Sequence, residues 1–499
     1  MSVISVIGSG FSGLSTAACL AQSGHNVTVF EKNSLPGGRA RKFETNGFVF
    51  DMGPSWYWMP DVFENFYNRF EKTTADFYQL TRLDPSYRIF FSKEDVMDVP
   101  AGVDALYKLF EKREQGSGEK LKKFLKEGKY KYDTGINNLV YKPGLSVTEL
   151  FDSQLLKGLF KLDVFQSLSS HVRKSFHDPA LVQLLEFPVL FLGADAANTP
   201  ALYSLMNYAD MALGTWYPQG GMYKIVEAMQ RVCQEQGVKF DFDSEVNGFE
   251  FIGGNIKSLI TNNTSKKTDY VVASADYHHI DQHILPKEYR NYSTSYWDKR
   301  TMAPSSLIFY LGVNKKLNKL LHHNLFFDAD FALHTKEIYQ NPSWPTSPLF
   351  YVSCPSRTDN TVAPEGHENI FILVPVATDL NDTEEIREKY FDLLMDRLES
   401  ITGESIRKNI VYKKSYAHRN FIEDYHAFKG NAYGLANTIR QTANLKPSIV
   451  NKKVNNLFYT GQLTVPGPGV PPAIISGQVV AAELDKRDKL KHAKIVKTI

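Results

Sequence analysis

The chemistry this chain could do is concentrated in its first fifty residues. Gly8-Ser9-Gly10-Phe11-Ser12-Gly13 has the G-x-G-x-x-G spacing, directly after the apolar run Ser2–Ile7. Such a loop cradles a pyrophosphate: Gly8 permits a tight turn, Gly10 lets backbone approach the phosphates, and Gly13 lets helix and strand touch. The helix that begins at Ser12 would aim its unpaired N–H groups and positive dipole end at the anion. Glu31 follows Gly13 by 18 residues. A carboxylate there accepts hydrogen bonds from ribose hydroxyls and repels a 2′-phosphate, which disfavours NADP. Gly37-Gly38-Arg39 offers a second close backbone approach, with Arg39 placed to hold a phosphate or ribose.

The elements needed to position these residues are legible around them. Ser2–Ile7 reads as a buried strand, about Ser12 to Ser23 as a helix with a small-residue face, and Val27–Phe30 as the next strand. From about 60 to 210 the pattern reads as mostly helical, including the apolar stretch Leu184–Gly193 interrupted by Pro188. Strand-like segments return at Val238–Phe242, Glu245–Phe251, Tyr270–Ala273, Ser305–Val313, Leu349–Ser353 and Asn369–Val376, with a helix at about Thr383–Ile401. Near the end come a strand at Asn456–Tyr459, a Pro/Gly-rich segment at Val465–Pro472 and a small-residue helix from about Ala473 to Leu484. Both ends thus read strand, glycine turn, small-residue helix, and are expected to pack together in one cofactor domain.

Continuing from the glycine turns, Gly47-Phe48-Val49-Phe50-Asp51-Met52-Gly53-Pro54 resembles the flavin-containing amine oxidase and phytoene desaturase superfamily. The resemblance implies FAD as cofactor and places Ser55 and Trp56 beside the flavin. Tyr217-Pro218-Gln219-Gly220-Gly221-Met222 resembles a segment of carotenoid desaturases. Glu245-Val246 is similar to the place where the superfamily's chain passes the adenine, with Val246 offering backbone groups. Ser274-Ala275-Asp276 would end another strand near the same cofactor. Tyr459-Thr460-Gly461 and Pro466-Gly467-Pro468-Gly469-Val470-Pro471 resemble the C-terminal flavin motif of bacterial-type phytoene desaturases. Val465 and Pro468 stand where that motif usually has His and Ala, and Gln462 where many members have Asp. The resemblance therefore assigns no acid–base or ribityl role at those positions.

The implied fold is α/β, a Rossmann-type FAD-binding domain with an inserted mixed α+β substrate domain. The expected division is 1–60, 214–300 and 430–485 for FAD, 61–213 and 301–429 for a substrate-binding, membrane-facing part, and 486–499 as a basic tail. The implied activity is FAD-dependent desaturation of a carotenoid such as phytoene or a partly desaturated carotene. Hydride would pass to the flavin and a proton would leave the neighbouring carbon. Oxygen or a quinone would accept the electrons. Carotenoid isomerases and polyene saturases share most of these motifs. A lipid escort protein of the same fold would have lost the FAD contacts that this chain keeps, and the Tyr217–Met222 and Pro466–Pro471 segments speak against an amine oxidase.

No catalytic acid–base pair stands out. His171, Arg173, His177 and Asp178 read as a solvated helix end; His334, His418 and His426 are scattered without metal spacing; Asp276 reads as a cap. No metal is expected. Cys19, Cys233 and Cys354 are too few and too far apart for a disulfide framework. A chain of 499 residues with 43% hydrophobic residues suggests two domains. A net charge of +2 gives no global field for nucleic acid. With no signal peptide and no spanning apolar run, the expectation is a cytoplasmic protein, peripherally membrane-associated. Lys108, Lys112, Arg113, Lys120, Lys122, Lys123, Lys126, Lys129 and Lys131, interleaved with aromatic and apolar residues, form one candidate lipid-facing cluster; Lys486, Arg487, Lys489, Lys491, Lys494 and Lys497 form another.

Overall fold

The computed structural model describes residues 1–146, 163, 166–190 and 195–498. β1 (Val3–Ile7), α1 (Phe11–Gln22) and β2 (Asn26–Phe30) form a β-α-β unit. β1 and β2 pair in parallel, with Val3 opposite Asn26 and Ile7 opposite Phe30. They lie inside a five-stranded parallel sheet whose order is Leu457–Tyr459, Tyr270–Ala273, β1, β2, Lys239–Asp241. Strands buried on both faces read as continuous β-branched runs, which is why Val-Ile-Ser-Val-Ile and Tyr-Val-Val-Ala were recognisable.

The two ends of the chain meet in this sheet and in the helices behind it. α1 packs against the C-terminal helix Val470–Thr498 at close range. Ser15 Oγ donates to Ile474 O at 2.7 Å, and Thr16 Oγ1 to Gly477 O at 3.2 Å. A Cβ on Gly477 would stand 2.5 Å from Ser12 O. Glycine at 477 is therefore a packing requirement. The basic tail expected at 486–499 is, through residue 498, the continuation of this helix. Its charges pair along the helix, Arg487 with Glu483 at 2.6 Å and Lys489 with Asp485 at 2.7 Å, so helix propagation needed no apolar face there.

A mixed seven-stranded sheet forms the second layer, in the order Ile410–Tyr416, Ser305–Val313, Glu368–Val376, Phe350–Ser353, His323–Phe326, Tyr87–Phe90, Val96–Val99. The last two strands fall inside the stretch read as helical. Their period is two: Tyr87, Ile89, Met97 and Val99 are buried, while Arg88 and Asp98 pair on the other face at 2.6 Å. Helices do dominate the rest of that region, including Ser117–Thr134 and Pro179–Leu190, which carries Pro188 inside it. The last three residues of the apolar stretch Leu184–Gly193 lie outside the described residues. The helix expected at 383–401 runs Glu384–Thr402, capped by the Thr383 side chain and ended by Gly403 in the left-handed region.

Candidate functional site

Between the two sheets lies a cavity of about 410 Å³. One end is polar backbone: Gly8–Ser12, Gly37–Arg39, Ser244–Val246, Ser274–Asp276 and Thr460–Leu463. The other end is walled by Trp56, Trp58, Met59, Pro188, Met206, Ile308, Tyr351 and Leu373. Of the thirteen residues singled out from sequence, Gly8, Gly10, Ser12, Glu31, Gly38, Arg39, Ser55, Trp56, Val246, Ala275, Gly461 and Val470 line it; Gly13 does not.

The glycines divide by what surrounds them. A Cβ on Gly13 would come 2.1 Å from Gly8 O and 3.0 Å from Ser274 Oγ, so Gly13 holds helix against strand. Gly10 caps α1 with φ −69° and ψ 175°, and a Cβ there would meet nothing within 4 Å. Its open side is the cavity, at a helix N-terminus with no side-chain cap. This is a cradle that a side chain would fill, the geometry a pyrophosphate requires.

Glu31 is buried at the end of β2. Its carboxylate accepts from Ser9 N at 2.8 Å and Ser9 Oγ at 2.6 Å, and from Asn33 N and Nδ2 at 2.9 Å each. It therefore fixes the glycine loop as well as facing the cavity. Ser12 Oγ and Ser274 Oγ lie 2.8 Å apart and tie the loop to the strand Tyr270–Ala273.

Arg39 is half-buried, its guanidinium over the Tyr425 ring at 5.3 Å. Its Nη2 donates to Asn431 O at 3.3 Å, and its Nε has no partner among the described residues. With its amide oxygen facing the guanidinium, Gln462 stands 3.1 and 3.0 Å from Arg39 Nη1 and Nη2. Desolvation lowers the Arg39 pKa, opposed by the charge of Asp276. Asp276 is itself pushed up by burial and caps the following turn by accepting from His279 N at 3.1 Å. The cap reading of Asp276 holds, and its proximity to Arg39 is an addition.

The apolar end is braced by two carboxylates, Asp51 half-buried and Asp210 fully buried. Asp51 accepts from Met222 N and Tyr223 N at 2.7 and 2.9 Å, and burial raises its pKa to about 6. It thereby locks the Gly220-Gly221-Met222 turn. Asp210 accepts from Tyr87 Oη at 2.6 Å and from Thr215 Oγ1 at 3.2 Å; Thr215 in turn accepts from Trp58 Nε1 at 2.8 Å. Burial pushes Asp210 up to about 7. A folded value above the unfolded one means its stabilisation is full below the ordinary 3.8 and is lost as pH rises through about 7. Asp210→Asn keeps the acceptor and removes the charge. Its melting temperature relative to wild type is expected to climb from about pH 4 to pH 7 and level off above, and parallel melting curves across that range would refute the assignment.

Sequence reasoning did not bring several groups together. Glu245, His279 and His426 come together at the cavity mouth, where His426 Nε2 lies 2.6 Å from Glu245 Oε1. The His279 and His426 rings stack at 3.9 Å and 7°, and Lys32 Nζ is 3.2 Å from His426 Nε2. Parallel rings and an adjacent ammonium do not converge lone pairs on a cation, so the trio acts as a clasp across the mouth. His334 and His418 are structural, bound to the Pro375 and Ala377 carbonyls at 2.8 Å each. His171 is not a solvated end group: its ring lies tilted against Phe124 at 5.3 Å, and burial lowers its pKa to about 4. Lys446 is buried beside Gly467 without a hydrogen-bond partner among the described residues, its pKa lowered to about 7 by desolvation. Nothing in local composition marks these groups, because their neighbours are distant in sequence.

Comparison with known proteins adds to this geometry. The family model of flavin containing amine oxidoreductases matches residues 11–485. The chain is 40% identical over 482 residues to a carotenoid 3,4-desaturase of Haloarcula japonica, covering 96% of this chain and 97% of that one. It is 29% identical over 489 residues to a zeta-carotene-forming phytoene desaturase of Myxococcus xanthus, covering 96% and 93%. In fold it is similar to a crystal structure of an oxidoreductase from Methanosarcina mazei, with a TM-score of 0.63 at 16% identity, covering 96% and 100% of the two chains.

Proposed function

The chain belongs to the flavin-containing amine oxidoreductase family, and from that premise we propose that it is an FAD-dependent carotenoid desaturase. The observation that carries the proposal is one continuous cavity with a dinucleotide cradle at one end and an aromatic, apolar wall at the other. Bound FAD supplies a hydride acceptor that no protein side chain can replace. The chain's own residues do the rest. Gly8–Ser12 and the N-terminus of α1 hold the pyrophosphate, Glu31 the ribose, and Val246 the adenine through its backbone. Arg39 faces the anionic side of the cofactor. Ser55, Trp56, Ala275, Gly461 and Val470 border the flavin.

Trp56, Trp58, Met206 and Leu373 line the end that would take an uncharged polyene and exclude water. Similarity to the Haloarcula enzyme favours a carotenoid whose saturated C3–C4 bond adjoins an already conjugated chain. Incubating the flavin-loaded protein with liposomes that carry a series of carotenes tests this. The expected outcome is a product lengthened by one conjugated double bond from such a substrate. Unchanged carotenes, or products with the same number of double bonds, would refute it. Oxygen or a quinone accepts the electrons.

A carotenoid resides in lipid, so the cavity must be served from a bilayer. No helix among the described residues is long and apolar enough to cross a membrane, and peripheral docking from the cytoplasmic side is the reading we adopt. Of the lysines in the first basic cluster, Lys131 is withdrawn: it is buried and bonded to Ala201 O, Ser204 and Asp163. Lys129 pairs with Asp133 and Lys120 with Glu114. Lys122, Lys123 and Lys126 are exposed along the helix Ser117–Thr134. Each lysine near an anionic surface contributes about 1 kcal/mol, so reversing these three charges should lower liposome partitioning by about 100-fold or more. Unchanged co-sedimentation would remove this helix as the docking face.

A further inference from the structure

The reaction proposed above removes a proton as well as a hydride. In the dinucleotide half the carboxylates are engaged, Glu31 by Ser9 and Asn33, Asp276 by the following turn and Glu245 by His426. The apolar half holds a further candidate. Tyr351 lines the cavity beside Ser55 and Trp56, and its Oη lies 2.6 Å from Nδ1 of His323. His323 and Tyr351 sit on adjacent antiparallel strands, His323 opposite Ser353 and Tyr351 opposite Leu325. The His323 ring is held flat against the Trp56 indole, centroids 4.2 Å apart and planes 10° apart. His323 itself is fully buried, and its Nε2 has no partner among the described residues. A tyrosine on the wall of the cavity, its phenol bonded to an imidazole that is clamped by an aromatic ring, is more than packing requires. A phenylalanine would fill the same space without the hydrogen bond.

Resting on the desaturase reading, we propose that Tyr351 and His323 form the proton-accepting pair of the reaction. The hydride leaves one substrate carbon with its electron pair for the flavin. The C–H bond on the neighbouring carbon then breaks, its electron pair becomes the new double bond, and its proton is taken by Tyr351 Oη. In the same step the phenolic proton passes to His323 Nδ1. The imidazolium returns to neutral when the flavin is reoxidised, because oxygen or a quinone takes up two electrons and two protons as it becomes peroxide or quinol. Burial and the neighbouring His322 hold the His323 pKa well below the ordinary imidazole value. Such a weak base suffices, since an allylic cation is a far stronger acid than imidazolium, and its weakness ensures that the proton is not retained.

Two measurements test the pair. In apoprotein labelled with ¹⁵N-histidine, His323 should carry its proton on Nε2 and accept from Tyr351 at Nδ1. Tyr351→Phe should shift the Nδ1 resonance. A proton on Nδ1 in the wild-type protein would overturn the proposal. In flavin-loaded protein, anaerobic flavin bleaching by a carotenoid in liposomes should slow by roughly 100-fold in Tyr351→Phe and in His323→Gln. A kinetic isotope effect should also emerge on deuterating the carbon that loses the proton. The flavin content and the apoprotein's carotenoid affinity should stay within about twofold of wild type. Wild-type bleaching with Tyr351→Phe equally fast and no new isotope effect would overturn the pair while leaving the desaturase reading intact. Failure of the wild-type flavin to bleach would instead overturn that reading.

Discussion

A valine at position 10 should give a folded apoprotein that purifies without flavin. Gly10 has φ and ψ in the extended region, where a β-branched residue sits without strain, and apart from its own chain neighbours nothing lies within 4 Å of its Cβ position. Melted as flavin-free protein, Gly10→Val is therefore expected to stay within about 0.5 kcal/mol of wild type, as for a surface change that disturbs no packing. The same side chain occupies the space beside the α1 N-terminus that a pyrophosphate needs. FAD affinity should fall by about 100-fold or more, equivalent to roughly 3 kcal/mol. Gly13→Val is the counter-experiment. Its Cβ would lie 2.1 Å from Gly8 O, so helix and strand must separate, and both stability and flavin should be lost. If the two variants behave alike, the distinction between a cradling and a packing glycine is wrong.

The second large effect concerns Arg39. Arg39 is half-buried, but its Nε is shut off from solvent without a partner among the described residues, a cost in the flavin-free protein. Arg39→Met preserves most of the aliphatic volume and removes that cost. The apoprotein should melt at the same temperature or higher, while FAD affinity falls about 10- to 100-fold, the range for losing a charge-assisted hydrogen bond of roughly 1.5–3 kcal/mol. Stability and affinity moving in opposite directions is the signature of a group retained for its ligand. Full FAD affinity in Arg39→Met with loss in Glu31→Ala would keep the cofactor and discard the role given to the Gly37–Arg39 turn.

How much of this was legible in the sequence depended on how local the cause was. The glycine loop, β1, α1 and β2 were readable because the glycine spacing and the β-branched strands Val-Ile-Ser-Val-Ile and Asn-Val-Thr-Val-Phe are local signals, although Gly8 itself packs on the distant Ser274 and Ala275. The meeting of the two chain ends was readable from their shared small-residue helices, now seen as Ser15 and Thr16 against Ile474 and Gly477. The strands Tyr87–Phe90 and Val96–Val99 were missed because four-residue strands give too few repeats of a period-two pattern amid helical neighbours. The basic tail was read from charge alone, whereas pairs such as Arg487–Glu483 let a helix continue without an apolar stripe. The Tyr351–His323 pair and the His279–His426 stack could not be read at all. Their partners are 28 and 147 residues apart, and only the sheet register and the mouth of the cavity bring them together.

The central claim is that a flavin held at Gly8–Gly13 oxidises a carotenoid held beside Trp56. Anaerobic single-turnover mixing of the flavin-loaded protein with a carotenoid in liposomes tests it most directly, following flavin absorbance and carotenoid conjugation together. The account predicts that one flavin is bleached for each double bond formed. A carotenoid that changes shape or is bound while the flavin stays oxidised would contradict it.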